Sequence, residues 1–401
     1  MQQKRQIHEF LAMKKHEWSM EDLGHALQSA MALEHSTLPL YTFAMHSIKT
    51  QNYTAYNLIR SIIMEEMIHM AVTANMLTAI GGVPQIKTLH PAYPTQGLPG
   101  GAEPDVHARL APLSKKQVRN FMRVEVPDHL LPNFLTPEQM ANEQYPTIGG
   151  FYNAIREALI HLETEGNQVS NAIGEGGEAN QVEDDIGIAI IEDFNGMLAG
   201  IDEITEQGEG AANPTLLASS DYEGEESHYA KFAEIFYGSR FVNPELRYVN
   251  PETEKSFFRG DVVMMPDTIN VLAVTADGYQ KILREYKARD PESTEHISQA
   301  LDGVDHAYTD VMTNLDAAWN GPIEKQGPSL SAAVIGMTEL KVPIRISPAI
   351  MSQQIPEEII SNLFSLYPDE YDDLREYTDL AKPVFFGPRF INLNVAQLPT
   401  L

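Results

Sequence analysis

Between Glu21 and Gly82, apolar residues recur every three or four positions along two successive stretches, and ionisable residues stand inside both stripes. In the first stretch Leu27, Ala30, Met31, Glu34, Leu38 and Tyr41 fall on one side of a helix, because residues three and four apart share a face. Glu34 is thus set in the middle of an apolar stripe. The second stretch, Ile59, Ile62, Ile63, Glu66, His69 with Met70, Thr73 and Leu77, inserts Glu66 and His69 at i and i+3. The pattern predicts a long helical hairpin with its acids turned inward. A carboxylate in an apolar core is costly unless it is paired, protonated or bound to a cation. Two acids and an imidazole converging from adjacent helices suit a divalent or trivalent metal with oxygen and nitrogen ligands. Di-iron and di-manganese carboxylate bundles take a Glu from each of two helices and a Glu-x-x-His from each of two others. Glu34 with Glu66-Met67-Ile68-His69 is one half of that set.

A competing reading is structural. A lone core histidine is usually hydrogen-bonded and a lone buried glutamate usually salt-bridged; Arg60, one and a half turns from Glu66, could serve as its partner. Three such residues on two facing stripes favour the metal.

A chain of 401 residues holds one large domain or two ordinary ones with ample core. With 56 acids against 28 basic residues and a net charge of −28, a nucleic-acid backbone is excluded as a natural partner. The absence of cysteine excludes disulfides, Fe–S clusters, thiolate-ligated haem and a cysteine nucleophile. No run of 18 apolar residues and no signal-peptide pattern occurs, so no membrane span and a cytoplasmic location are expected. No phosphate-binding glycine loop, G-x-S-x-G or basic-aromatic patch is present.

Along the chain, a helix is expected over about 21–48, with Pro39 freeing the carbonyl of His35 beside Glu34 and kinking the helix there. The second runs over about 53–80 and stops at Gly81-Gly82 with Pro84 beyond. Residues 83–149 are rich in proline and glycine and read as a long irregular excursion in which only 114–126 looks regular. A loop of that length in a compact domain is usually functional. Glu125 and Asp128 sit in it, expected mainly as surface or turn residues. A third helix covers about 150–165 and a fourth about 185–207. A short helix over 224–236 carries Glu225, His228, Phe232 and Ile235 on one face, which reads as a second Glu-x-x-His.

Which acids complete the set is open at this point. With ~1.5 Å of rise per residue, hairpin arithmetic favours Glu157 on the third helix and Glu203 or Glu206 on the fourth. Residues 241–266 read as a proline-punctuated linker, followed by helices over about 267–286, 293–319 and 329–340 and an extended tail. The domains expected are therefore 1–240, the bundle, and 241–401, a helical region packed on it. The fold class is all-α, a four-helix bundle.

The runs Ala32-Leu33-Glu34-His35-Ser36-Thr37-Leu38-Pro39-Leu40-Tyr41, Ile62-Ile63-Met64-Glu65-Glu66-Met67-Ile68-His69-Met70 and Asn75-Met76-Leu77-Thr78-Ala79-Ile80-Gly81-Gly82-Val83-Pro84 resemble the ferritin-like domain of the iminophenyl-pyruvate dimer synthase family. That domain occurs in the violacein-pathway enzyme that couples two tryptophan-derived imines. Thr147-Ile148-Gly149-Gly150-Phe151-Tyr152-Asn153-Ala154-Ile155, Gln207-Gly208-Glu209-Gly210 and Ser227-His228-Tyr229 resemble later motifs of the group. The resemblance spans residues 21–238 and implies a ferritin-like metal site using Glu34, Glu66 and His69, with Glu209 and His228 raised by motif position. The known synthases are far longer chains, so the shared fold does not carry the shared reaction.

The combined expectation is a metal set of Glu34, Glu66, His69, Glu206, Glu209 and His228. Glu65, Glu157, Glu203 and Glu225 stand behind it, with Glu65 suited to orienting a ligand. Two iron ions are expected, alternatively manganese or a mixed Fe/Mn pair, activating O₂ or peroxide on a small amino-acid-derived substrate. Tyr41 or Tyr229 is a candidate redox or proton partner. The alternatives are a metal-binding or storage protein without turnover and a metal-free bundle that binds a small molecule or partner. A homodimer is compatible with the large helical surfaces.

Overall fold

The computed structural model describes residues 5–49, 53–142, 145–174, 180–183, 188, 190–208, 215–217, 225–274, 276–341 and 350–396. The hairpin forms as its periodicity predicts: α1 spans Met20–His46 and α2 spans Tyr53–Ala79. Ser19 caps α1, its hydroxyl accepting from the Asp22 amide at 3.2 Å while Asp22 accepts from the Ser19 amide at 3.0 Å. This reciprocal pair satisfies two of the donors a helix start leaves open. At the far end Gly81 takes φ +81°, and the Gly81 and Gly82 amides return to the carbonyls of Thr78 and Leu77, closing α2.

Helix α1 continues through Pro39. The carbonyl of Ser36, next to the one Pro39 leaves without a donor, accepts from the hydroxyl of Tyr93 in the excursion. Arg60 is exposed on α2, so it does not compensate Glu66.

The bundle is completed by α4, Ile148–Thr164, and α5, Phe194–Gly208. Helix α1 packs on α2 and α4, and α5 packs on α4 and α2, which closes a ring of four. The fourth helix begins at Phe194 rather than near 185. Its crossing with α2 is close: a Cβ on Gly200 would lie 3.0 Å from Val72 Cγ1 and 3.3 Å from Met76 Sδ.

In the excursion, α3 covers Lys115–Val124, and a two-residue strand pair, Thr95–Gln96 with His107–Ala108, ties its first half together. Phe121 of α3 packs edge-on to Tyr41 of α1 at 4.7 Å between ring centroids and against Phe232 at 5.2 Å. Phe232 belongs to α6, His228–Tyr237, which lies against α2 and α3. Aromatic burial thus pins the C-terminal end of α3 to the bundle.

Instead of a plain linker over 241–266, an antiparallel strand pair forms, Ser239–Phe241 with Phe258–Val262. Beyond it run α7, Ala276–Lys287, α8, Pro291–Asn320, and α9, Gln326–Lys341. Helix α8 packs on α7 and α9 and meets the α1–α2 hairpin, and one continuous cluster of buried apolar side chains runs through both regions. Tyr308 bonds His35 Nε2 at 2.7 Å, and Trp319 Nε1 donates to Asn75 Oδ1 at 2.9 Å. The tail contributes Arg389, whose guanidinium grips the buried carboxylate of Asp305 at 2.5 and 2.9 Å.

Candidate metal centre

Helix periodicity delivers Glu34 from α1 and Glu66 and His69 from α2 to the same level of the bundle, all three buried. Ser227 caps α6, its hydroxyl accepting from the Ala230 amide at 3.3 Å, so the helix starts at His228 and drives that imidazole inward. The last turn of α3 sends in Glu125.

His228 Nδ1 lies 2.9 Å from Glu66 Oε1 and 3.4 Å from Glu125 Oε2. His69 Nδ1 lies 3.6 Å from Glu34 Oε2. The two rings stack at 5.3 Å between centroids and 25°. One donor atom each from Glu66, His69 and His228 falls within 4.8 Å of the others, close enough to hold one ion or to flank two neighbouring ones. His228 Nδ1 is buried without a hydrogen bond, although carboxylate oxygens stand close to it. A buried imidazole nitrogen set among carboxylate oxygens fits a cation ligand once its proton is displaced.

Each group has a supporting contact. Tyr152 of α4 donates to Glu34 Oε1, Tyr41 donates to Glu125 Oε1, and the Thr37 hydroxyl donates to Glu66 Oε2 at 2.9 Å. On the far side of the imidazoles, His69 Nε2 meets Gln207 Oε1 at 2.7 Å and His228 Nε2 meets Glu65 Oε2 at 2.9 Å. Lys231 Nζ bonds both oxygens of Glu65 at 2.7 Å.

Three buried carboxylates side by side repel one another and lose hydration. Burial and then the charge of Glu125 push Glu66 up to about 8. Burial also works against ionised Glu34, but its hydrogen bond to His69 and the charge there outweigh it, and it lies below the usual range. Burial lowers both histidines, yet their carboxylate partners win: His69 is raised, and His228 is raised well above an ordinary imidazole. Glu65 is opposed by burial too, but His228 and Lys231 hold it down at about 2. Lys231 is spent on Glu65, and no Lys or Arg among the described residues faces Glu34, Glu66 or Glu125 within ion-pair distance. The donor set therefore fits a hard or borderline cation with O/N ligands. Glu34, Glu66, His69 and Glu125 line a cavity of about 30 Å³, room for a water-sized species or two, walled by Leu33, Val124, Ile148 and Ile204. His228 stands behind that wall, against Glu66 and Glu125.

The structure brings together Glu34, Glu66, His69 and His228, with Glu65 behind His228, and leaves other expected residues outside. Glu157 stands about 140° round α4 from Tyr152, since five residues turn a helix by about 500°. There it pairs with Lys15 at 2.9 Å. Glu225 precedes the cap of α6 and is exposed, so the second Glu-x-x-His is not a helical pair. Glu203 and Glu206 are half-buried on α5, whose Ile204, Thr205 and Gly208 face the cavity instead. Burial raises Glu203, and the nearby His69 charge opposes this. Glu209 lies outside the described residues. Tyr229 is buried but donates to Glu254 Oε1 at 2.7 Å, away from the cavity. Asp128 is exposed.

Sequence reasoning missed Tyr152, Thr37, Gln207 and Lys231, and set Glu125 among surface residues. Thr37 is one turn from Glu34 and Lys231 one turn from His228, so face-sharing could have found both. Glu125 ends a short helix in irregular chain, where no periodicity points inward.

Among the described residues no helix is long and apolar enough to cross a membrane. Comparison with curated proteins gives no match. Among solved structures, a ferritin-like protein from Caulobacter vibrioides aligns with a TM-score of 0.51 at 21% identity, covering 81% of this chain and 95% of that one. The Ferritin-like family profile matches residues 27–237, a span that contains all five groups around the cavity. This chain belongs to the Ferritin-like family.

Proposed function

We propose that the protein is a non-haem di-metal oxidoreductase, using iron, or alternatively manganese or an Fe/Mn pair, to oxidise or couple a small amino-acid-derived substrate. The observation that carries this reading is the cluster of three buried carboxylates and two imidazoles, four of them lining one small cavity and His228 beside Glu66 and Glu125, with no Lys or Arg of the described residues paired to the three acids. Glu34 and His69 would hold one ion, Glu125 and His228 the other, and Glu66, close to both rings, would serve both. Such ions, when bound, supply redox equivalents for O₂ or peroxide.

The chain's own residues set the conditions. With the Glu66 proton displaced by a bound ion, the three carboxylates would supply about three negative charges against the metal's charge. Tyr152 and Tyr41 fix the Glu34 and Glu125 carboxylates and, with burial first among the causes, both phenols are raised well above their ordinary range. They therefore stay protonated and keep donating at neutral pH. Leu33, Val124, Ile148 and Ile204 give the cavity apolar walls, which lowers the local dielectric and strengthens each electrostatic contact. A cavity of this size admits O₂ or peroxide more readily than an amino-acid-sized molecule, so the second reading, a metal-binding site without turnover, has its own support.

Oxygen uptake by the iron-loaded protein with a chemical reductant separates them. Sustained uptake, lost in the Glu66→Ala, His69→Ala double variant, supports the oxidoreductase. Loaded metal with one stoichiometric oxidation and no further uptake supports storage. Absence of bound metal leaves a bundle that binds a small molecule or partner.

A further inference from the structure

The two imidazoles meet different partners behind the site. His69 Nε2 faces the neutral amide oxygen of Gln207 at 2.7 Å, and His228 Nε2 faces the carboxylate of Glu65 at 2.9 Å. With the Nε2 hydrogen of each ring donated outward to these acceptors, Nδ1 would be the nitrogen free to bind an ion. An anionic acceptor draws the Nε2 proton and enriches the ring's other nitrogen, which an amide oxygen does far less. Glu65 is itself fixed: Lys231, 5% exposed, holds both of its oxygens at 2.7 Å, so the carboxylate cannot turn toward the cavity and become a ligand. The surroundings of Nδ1 add to the difference. His228 Nδ1 has two carboxylate oxygens within 3.4 Å, whereas His69 Nδ1 has Glu34 Oε2 at 3.6 Å.

We infer that the two metal positions are unequal, and that the first ion is taken up at His228, with Glu66 and Glu125, and the second at His69, with Glu34. This rests on the di-metal reading above. Glu65, held by Lys231, is the positioning residue that creates the preference, and Gln207 is its weaker counterpart.

The test is an anaerobic titration of the apoprotein with Mn²⁺, followed by calorimetry and by electron paramagnetic resonance. The expected isotherm has two steps whose Kd values differ by about tenfold or more. The first equivalent gives the six-line signal of an isolated Mn²⁺, and the second converts it to that of a coupled pair. Glu65→Gln weakens the tight step by about tenfold and leaves the weak step in place, while Gln207→Glu tightens the weak step and narrows the gap. Both variants keep side-chain size, and their unfolding midpoints report whether they fold. A single step in the unsubstituted protein, or equal weakening of both steps in Glu65→Gln, overturns the inference and leaves the di-metal reading standing. No Mn²⁺ binding at all overturns both.

Discussion

Tyr152 donates its phenolic hydrogen to Oε1 of Glu34, joining helices that lie 118 residues apart in the chain. Both partners are buried, so neither can turn to water if the other is removed. Tyr152→Phe keeps the ring and deletes the bond, and hydrogen bonds to charged groups contribute about 1.5–3 kcal/mol. Apoprotein stability in urea should therefore fall by about 2 kcal/mol. A loss below about 0.5 kcal/mol would mean that water replaces the phenol and that the cavity is wetter than described.

The acid cluster gives apoprotein stability a particular pH dependence. Glu66 is raised from 4.5 to about 8, so its protonated form is the one the fold favours. Its contribution is full below about 4.5 and is lost as pH rises through about 8. Glu65 runs the other way. Held down at about 2, it contributes above about 4.5 and is lost as pH falls toward about 2. Denaturation of the apoprotein should show stability declining between pH 5 and 8, and Glu66→Gln should flatten that slope. A cation would compete with the Glu66 proton, so metal affinity should rise over the same interval. A slope unchanged by Glu66→Gln would contradict the assignment.

The α2–α5 crossing depends on the missing side chain of Gly200. A Cβ there already approaches Val72 and Met76 at 3.0 and 3.3 Å, and a larger group has no space. Gly200→Leu should cost about 2 kcal/mol or more through overpacking, net of the gain in helix propensity. Equal or greater stability, read from thermal unfolding, would show that α5 can shift away from α2.

Arg389 anchors the C-terminal tail, pairing with Asp305 and, at 2.7 Å, with Asp302. Arg389 and Asp305 are both fully buried, and the Ile391 amide donates to Asp305 at 3.0 Å. Burial pushes Asp305 up to about 6 despite the guanidinium. Arg389→Met strands the carboxylate, and breaking one side of such a pair costs about 3–5 kcal/mol. Limited proteolysis should then cut the tail after α9 well before the bundle. Unchanged protection would place the anchoring elsewhere, in the aromatic packing of Phe386 and Phe390.

The parts of the molecule that could be read from sequence are those written by periodicity. Glu34, Glu66 and His69 stood out because polar residues interrupted apolar stripes of period 3.6, and the helices carrying them formed within a residue or two of the expected ends. His228 was found for a related but incomplete reason. The spacing from Glu225 suggested a helical pair, whereas Ser227 caps the helix and leaves Glu225 outside. Glu157 shows the limit of counting rise alone, since height along a bundle says nothing about rotation around its axis. Glu125 shows a deeper limit. Its place is fixed by Phe121 packing on Tyr41 and Phe232, contacts between residues 80 or more positions apart that no local pattern encodes. The polar partners Gln207, Tyr152 and Lys231 belong to the same class.

The central claim, that the cavity holds metal on Glu34, Glu66, Glu125, His69 and His228, is tested most directly by metal analysis. The apoprotein is loaded anaerobically with Fe²⁺, desalted, and analysed by mass spectrometry beside the Glu66→Ala, His69→Ala double variant. The account predicts about two ions per chain, falling to a small fraction of one in the variant. Metal retained equally by both proteins, or bound by neither, would contradict it.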